Sequence, residues 1–187
     1  FNVLLRHGFY NKWSDERFLK KIYKIRMGES LNLECPVTFN EKLQWLKLHD
    51  RNPLYTKMVD KYEFKNYIKE RLGEGYTIPT LGVWDSFDDI DFSSLPDKFV
   101  LKCTHDSGGL VICKDKENFD VDKAREKINN ALKSDYYLTS REWPYKNVKR
   151  RVIAEKYMEE DESGVLTDYK VFCFNGVPKI VYISKDK

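Results

Sequence analysis

The stretch KFVLKCTHDSGGLVICK, residues 98–114, decides how the rest of this chain is read. Its first half alternates. Phe99, Leu101 and Cys103 fall on one side of an extended segment and Val100, Lys102 and Thr104 on the other, because successive strand side chains point to opposite faces. A second apolar run, Leu110-Val111-Ile112-Cys113, follows the turn-forming His105-Asp106-Ser107-Gly108-Gly109. The pattern predicts two short antiparallel strands joined by a glycine turn. Such a turn lets backbone N–H groups come close to an anion. Lys102 would add a mobile positive charge suited to phosphate. On this stretch alone, a plain hairpin with Lys102 in solvent is the simpler reading. Neither a Walker A loop nor G-x-G-x-x-G is present.

Upstream, the pattern is helical. Ser14 caps a segment carrying Phe18, Ile22 and Ile25, which Gly28 closes. Thr38-Phe39-Asn40-Glu41 is a capping box, since the Thr hydroxyl and the Glu carboxylate satisfy each other's backbone donors. Phe39, Leu43 and Leu46 would then line one face. Asp60-Lys61-Tyr62-Glu63 is a further start, leading into Phe64, Ile68 and Leu72 with Gly73 as the stop. Asp60 and Lys61 sit where a helix dipole already favours anions, although capping by Asp60 with a solvated Lys61 explains the pair equally well. A loop is expected around Pro79 and Gly82.

Downstream, a helix is predicted over 120–133, with Val121, Ala124, Ile128 and Leu132 on one face, and an aromatic and basic loop over 136–151. Strands follow over 151–158 and 167–174. Asn175-Gly176 is the strongest hairpin signal, because a type I′ turn needs positive φ at both positions; 178–184 would return beside it. Ile153-Ala154-Glu155-Lys156-Tyr157-Met158 runs from strand into the polar loop 159–163, a hinge whose backbone could meet an adenine edge. An edge strand leaving the sheet fits it too. Asp168 and Lys170 share a strand face with Phe172 and Phe174, as if lining a cleft or a half-exposed face. The sum is an α+β chain, a helical front followed by antiparallel strands.

Composition bounds the function. With 187 residues, 33 Lys and Arg against 30 Asp and Glu, and a net charge of +3, the chain suits one domain or two small ones. No apolar run approaches the roughly 20 residues of a membrane span. The charge is too small to require nucleic acid or a membrane surface. The basic, aromatic run Tyr136, Tyr137, Arg141, Trp143, Tyr145, Lys146, Lys149, Arg150 and Arg151 has the mixture that binds single strands or polyanions, or it is a packed loop with a solvated rim. The four cysteines, Cys35, Cys103, Cys113 and Cys173, form no CxxC pair. Neither a disulfide framework nor a zinc site is expected; Cys103, Cys113 and Cys173 read as small hydrophobes in strands. The chain opens on Phe1 rather than Met and stops at Lys187 after a strand-like run, as a piece of something longer would.

The order of these features resembles the ATP-grasp superfamily: a lysine at Asp60-Lys61, a strand lysine at Lys102, the turn Ser107-Gly108-Gly109, then the hinge Ala154-Glu155-Lys156-Tyr157-Met158. The wording at 38–47 (TFNEKLQWLK), 78–85 (IPTLGVWD), 102–109 (KCTHDSGG), 141–148 (REWPYKNV) and 168–176 (DYKVFCFNG) is similar to one branch, the teichuronopeptide-biosynthesis or TupA-like ATP-grasp family. The resemblance runs from about Leu31 onward.

It implies ATP between two α+β subdomains, and an organisation of 1–58 as a helical region, 59–151 as the first subdomain and 152–187 as the start of the second, incomplete one. Lys61 and Lys102 would contact phosphates, and the turn carrying His105, Ser107, Gly108 and Gly109 would cover them. Glu155, Lys156, Tyr157 and Met158 would read adenine, and Asp168 and Lys170 would point into the cleft. The implied reaction is ATP-dependent carboxylate–amine ligation through an acyl phosphate, with Mg²⁺, a carboxylate acceptor and an amino-acid or amine donor. The setting would be cytoplasmic synthesis of a cell-surface polysaccharide or teichuronopeptide, beside membrane-associated polymer machinery but with no membrane span and no nucleic acid. Catalytic residues are not identified, and no metal ligand is named, since the family's acidic ligands come on later strands. A chain ending at Lys187 would bind nucleotide poorly and catalyse nothing. The other readings are a glycosyltransferase of the same pathway, which lacks an Asp-x-Asp here, and a polyanion or nucleic-acid binding module.

Overall fold

The computed structural model describes residues 2–6, 8–159 and 166–185. Its helical front comprises α1 (Asn2–Arg6), α2 (Asp15–Met27), α3 (Phe39–His49), α4 (Leu54–Val59) and α5 (Glu63–Leu72). The caps are those the sequence predicts. Ser14 accepts from the Arg17 N–H at 3.4 Å, and Gly28, at φ 79°, closes α2 by donating to the Lys24 carbonyl. Phe18, Leu19, Ile22 and Tyr23 of α2 pack with Tyr10 and Leu31 into a small core. Ile25 is not on that face and is 45% exposed. The capping box of α3 forms with both bonds in place. Yet α3 buries none of its residues, so the stripe of Phe39, Leu43 and Leu46 faces outward.

A four-stranded antiparallel sheet follows, built from β1 (Thr80–Trp84), β2 (Phe99–Cys103), β3 (Leu110–Cys113) and β4 (Val152–Lys156) in the order β1-β4-β2-β3. β1 occupies the stretch read as a loop. Its signal was hidden by Gly82, which is there because Trp84 lies across it: a Cβ would fall 2.2 Å from the indole ring. β4, assigned from sequence to the second subdomain, instead lies between β1 and β2 in this first sheet.

One face of the sheet is the main core. Phe99, Leu101, Cys103, Cys113, Val152 and Ala154 pack against Phe87, Leu95 and the inner face of α6 (Val121–Lys133), through Ala124 and Ile128. Each buried Phe, Leu or Ile contributes about 1.5–3 kcal/mol of hydrophobic free energy. Cys103 and Cys113 are buried there as small hydrophobes, and burial pushes the Cys103 thiol up to about 12. α6 starts on Asp120, whose carboxylate accepts from the Lys123 N–H.

The segment 136–151 is not a plain loop. It contains α7 (Tyr136–Ser140) and a 3₁₀ turn (Trp143–Asn147). β5 (Thr167–Phe174) and β6 (Val177–Lys185) form a separate two-stranded sheet. Asn175 and Gly176 have φ of 50° and 78°, the positive pair expected of the I′ turn. Cys173 does not pack inward as read from sequence; it is exposed. The polar loop read after Met158 falls mostly on 160–165, outside the described residues.

Candidate nucleotide site

The opposite face of the four-stranded sheet is covered over β4, where Ile153 and Glu155 are buried, and open toward β3. Registry aligns Glu155, Val100 and Ile112 in one row across β4, β2 and β3, and Ile153, Lys102 and Leu110 in the next. Leu110 and Ile112 are 38% and 48% exposed. An apolar floor carrying one strand lysine therefore faces solvent at the β2–β3 end. Such a surface suits a flat heteroaromatic ring with a phosphate chain beside it. Tyr157 and Met158 follow β4 where it pairs with Phe99, at the end of β2 away from the glycine turn. The Tyr157 ring lies 5.9 Å from the ammonium groups of both Lys98 and Lys114.

At the centre of this face Glu155 is buried between two lysines. Oε2 meets Lys102 Nζ at 2.5 Å, and Oε1 meets Lys65 Nζ. Lys65 comes from α5 and also donates to the Ile78 carbonyl at 2.7 Å. Burial pushes the Glu155 carboxyl up, but the two lysines outweigh it and the net direction is down. The carboxylate is thus held charged and fixed, and it draws the Lys102 ammonium back along the sheet toward the Val100 row, away from the glycine turn. Lys65 was not singled out from sequence. Its signal was spacing: it stands four residues after Lys61, where the helix start at 60–63 turns it onto the sheet.

The turn after β2 is tied down from below. Lys61 Nζ donates to the Cys103 carbonyl at 2.8 Å and also to the Asp106 carbonyl, and lies 3.7 Å from Asp106 Oδ1. Burial lowers the Lys61 pKa, with Asp106 opposing. His105 turns away from the open face. Its Nε2 lies 3.2 and 3.3 Å from the Ala131 and Ser134 carbonyls at the end of α6. Gly109 packs against the same corner, where a Cβ would fall 2.2 Å from Asp106 Oδ2 and 2.7 Å from the Ala131 Cβ. Gly108, at φ 116°, has open space around it. Ser107 is exposed and within reach of the Tyr136 hydroxyl.

Of the residues singled out from sequence, Lys102 and Glu155 therefore meet on this face, Tyr157 and Met158 continue β4 past the Phe99 end of β2, and Ser107, Gly108 and Gly109 follow the other end of β2. Lys156 is exposed on the last residue of β4. Lys61 and His105 sit beneath the turn. Asp168 and Lys170 pair with each other on β5, which forms a two-stranded sheet with β6. Among the described residues no three His, Cys, Asp or Glu side chains gather as a metal-ligand set.

The basic run 136–151 is largely consumed by internal pairing. Arg151 bridges Asp60 at 2.9 Å and Glu63 at 2.8 Å. Arg141 is buried, donates to the Tyr10 carbonyl at 2.8 Å and stacks 4.7 Å from the Phe18 ring. Lys149 pairs with Asp85 at 2.8 Å and Arg150 with Asp135 at 3.4 Å. Cations so occupied leave little charge for a polyanion.

A helical front, an antiparallel sheet whose central strand presents a lysine, a glycine turn at the end of that strand and a hinge leaving its neighbour make up the architecture of the ATP-grasp class. The model of the TupA-like ATPgrasp family matches residues 41–186, and the chain belongs to that family. Membership points to ATP-grasp ligase-type function. Searches of curated proteins and of solved structures found no match.

Proposed function

We propose that this chain is the ATP-binding part of a carboxylate–amine ligase. ATP phosphorylates a carboxylate, an amine attacks the acyl phosphate, and an amide and inorganic phosphate result. The observation that carries the reading is the Lys102–Glu155–Lys65 set on an apolar sheet face open toward β3, at the end of the strand that leads into Ser107-Gly108-Gly109. Adenine would lie over Val100 and Ile112 against Tyr157 and Met158, whose backbone groups would meet its edge, since the Lys156 N–H already donates to the Pro79 carbonyl. Lys102 would take the phosphates, with the N–H groups of Ser107, Gly108 and Gly109 closing over them and Lys61 holding the turn's shape from beneath. Catalysis would be positioning and charge stabilisation of the transferring phosphoryl group. Asp168 and Lys170 would face the same cleft, and bound Mg²⁺ would shield the phosphate charge.

The setting we propose is cytoplasmic synthesis of a surface polysaccharide or teichuronopeptide. No helix among the described residues is long and apolar enough to cross a membrane. The test is Mg²⁺-dependent ADP release that rises when an amino acid and a carboxylate-bearing acceptor are both supplied. Lys102→Ala should weaken ATP binding by about tenfold or more, the value of a lost charged hydrogen bond, without unfolding the protein. Unchanged ATP affinity in a folded variant would remove the phosphate role. Sugar transfer from a nucleotide sugar with no ATP turnover would replace the ligase reading with a glycosyltransferase.

A further inference from the structure

The two carboxylate oxygens of Glu155, a side chain only 5% exposed, are divided between two lysines that are not held equally. Lys65, on α5, has a side chain 13% exposed and pairs with Oε1 while donating to the Ile78 carbonyl at 2.7 Å. Lys102, on β2, has a side chain 28% exposed, and its ammonium meets Oε2 at 2.5 Å. Registry fixes the direction of this second pair. Glu155 lies across from Val100, and Lys102 across from Ile153, one row nearer the glycine turn. The Lys102 side chain therefore folds back toward the Val100 row, and the two rows stand about 7 Å apart along the strand.

Lys102 cannot serve the carboxylate and the turn at once. To meet a phosphate under Ser107-Gly108-Gly109, as the proposed function requires, its ammonium must swing to the other side of its own row and give up Oε2. A buried carboxylate stripped of its cations is costly, by several kcal/mol. Lys65 removes much of that cost, because it stays on Oε1 with the Ile78 carbonyl as a second anchor. It is the more buried of the two lysines. It also comes from a helix rather than from the strand that leads into the glycine turn, so it need not move when Lys102 does.

We propose that Lys65 is a positioning residue for nucleotide binding: it holds Glu155 while Lys102 passes from the carboxylate to the phosphates. The inference rests on the ligase reading above. Lys65 touches no phosphate itself. It sets the fraction of molecules in which Lys102 is free, and apparent affinity scales with that fraction. Loss of Lys65 would leave Lys102 as the one cation paired with Glu155 among the described residues, and the carboxylate would hold it back more tightly.

The experiment is a calorimetric titration of ATP with Mg²⁺ into the wild-type chain, Lys65→Met, Lys65→Arg, Glu155→Gln and the double variant Lys65→Met/Glu155→Gln, with folding checked by circular dichroism. Lys65→Met should weaken ATP binding by about tenfold. Lys65→Arg, which keeps the cation, should recover most of that loss. In the Glu155→Gln background, Lys65→Met should change ATP affinity by less than about twofold, because no carboxylate is left to retain Lys102. A merely structural Lys65, or one whose charge acts on the phosphates directly, would lose the same factor in both backgrounds. That result, unchanged affinity in folded Lys65→Met, or no recovery in Lys65→Arg would each overturn the proposal. Should Glu155→Gln fail to fold, the double variant, which carries neither charge, is compared with Lys65→Met. It should bind ATP the more tightly of the two, and equal or weaker binding overturns the proposal. Wild-type protein that binds no ATP sinks the ligase reading and this inference together, whereas ATP held equally by wild type and Lys65→Met sinks the role of Lys65 alone.

Discussion

Glu155 shows how one residue sets a site's charge. It holds two lysines from different elements, and each lysine has lost water to reach it. Removing the carboxylate takes the counter-charge from both cations and leaves Lys65 only the Ile78 carbonyl, whereas removing either lysine leaves Glu155 one partner. Glu155→Gln should therefore be the most destabilising of the three changes, by about 3 kcal/mol, the cost of breaking a buried pair. Lys65→Met and Lys102→Ala should each cost less in urea unfolding. A Glu155→Gln variant no worse than either would mean the carboxylate is not the hub. Its depressed pKa also gives stability that is present above the ordinary value of 4.5 and lost as pH falls through the folded value. His105 works in a higher window with a different cause. Burial lowers its pKa below 6.5, with Asp106 pulling partly back. The unfolded chain then binds the proton first, so stability declines as pH falls below about 6.5. Urea unfolding from pH 7.5 to 5 should show that decline, and His105→Asn should flatten it. An equal slope in the variant would assign it elsewhere.

At the scale of elements, the glycine turn earns its sequence twice over, and the two glycines do different things. Gly108 supplies a φ of 116°. Gly109 supplies room, since a methyl group there would strike Asp106 and Ala131. Gly109→Ala should cost about 1–3 kcal/mol, as overpacking does, and should loosen the contact between the turn and α6. A variant of unchanged stability would show that Asp106 moves aside freely. Capped and alternating elements were legible in the sequence for physical reasons. Ser14 and Thr38 meet their backbone partners within their own first turns, and Phe99, Leu101 and Cys103 alternate because one side is core. What escaped was set by distant neighbours. β1 is a strand because β4 pairs with it, and its own Gly82 argues otherwise. α7 was hidden in a run whose basic residues suggested a surface, because Arg141 and Arg151 find their partners in the helical front. Within the candidate site, Lys102 and the glycines were legible from local pattern. Lys65 and the Tyr136–Ser107 link were not, because each depends on how a helix lies against the turn or the sheet.

For the whole molecule, the same contrast between local and distant support predicts how stability is spread. β4 is the second strand of four, hydrogen-bonded on both sides, and its Val152, Ile153 and Ala154 are 0% exposed. β5 and β6 have the stronger turn signal, yet their large side chains lie open on both faces; Tyr169, Val181 and Ile183 are 63%, 55% and 59% exposed. A two-stranded hairpin with no packed face is marginal in water. Opening β4 requires breaking the main core, whereas the strand pairing that opening β5–β6 breaks is, among the described residues, the hairpin's own ladder. Hydrogen exchange followed by mass spectrometry should therefore show the amides of β5 and β6 exchanging at least about a hundredfold faster than those of β4, on the order of 3 kcal/mol less protection. If ATP closes a cleft between the sheet and the hairpin, as the proposed function requires, saturating nucleotide should slow exchange in β5–β6, beyond the general slowing that binding to the folded state gives β4. Equal protection of the two sheets without nucleotide would mean that the hairpin is packed in solution. Nucleotide that binds without slowing β5–β6 would remove Asp168 and Lys170 from the site while leaving Lys102 in it.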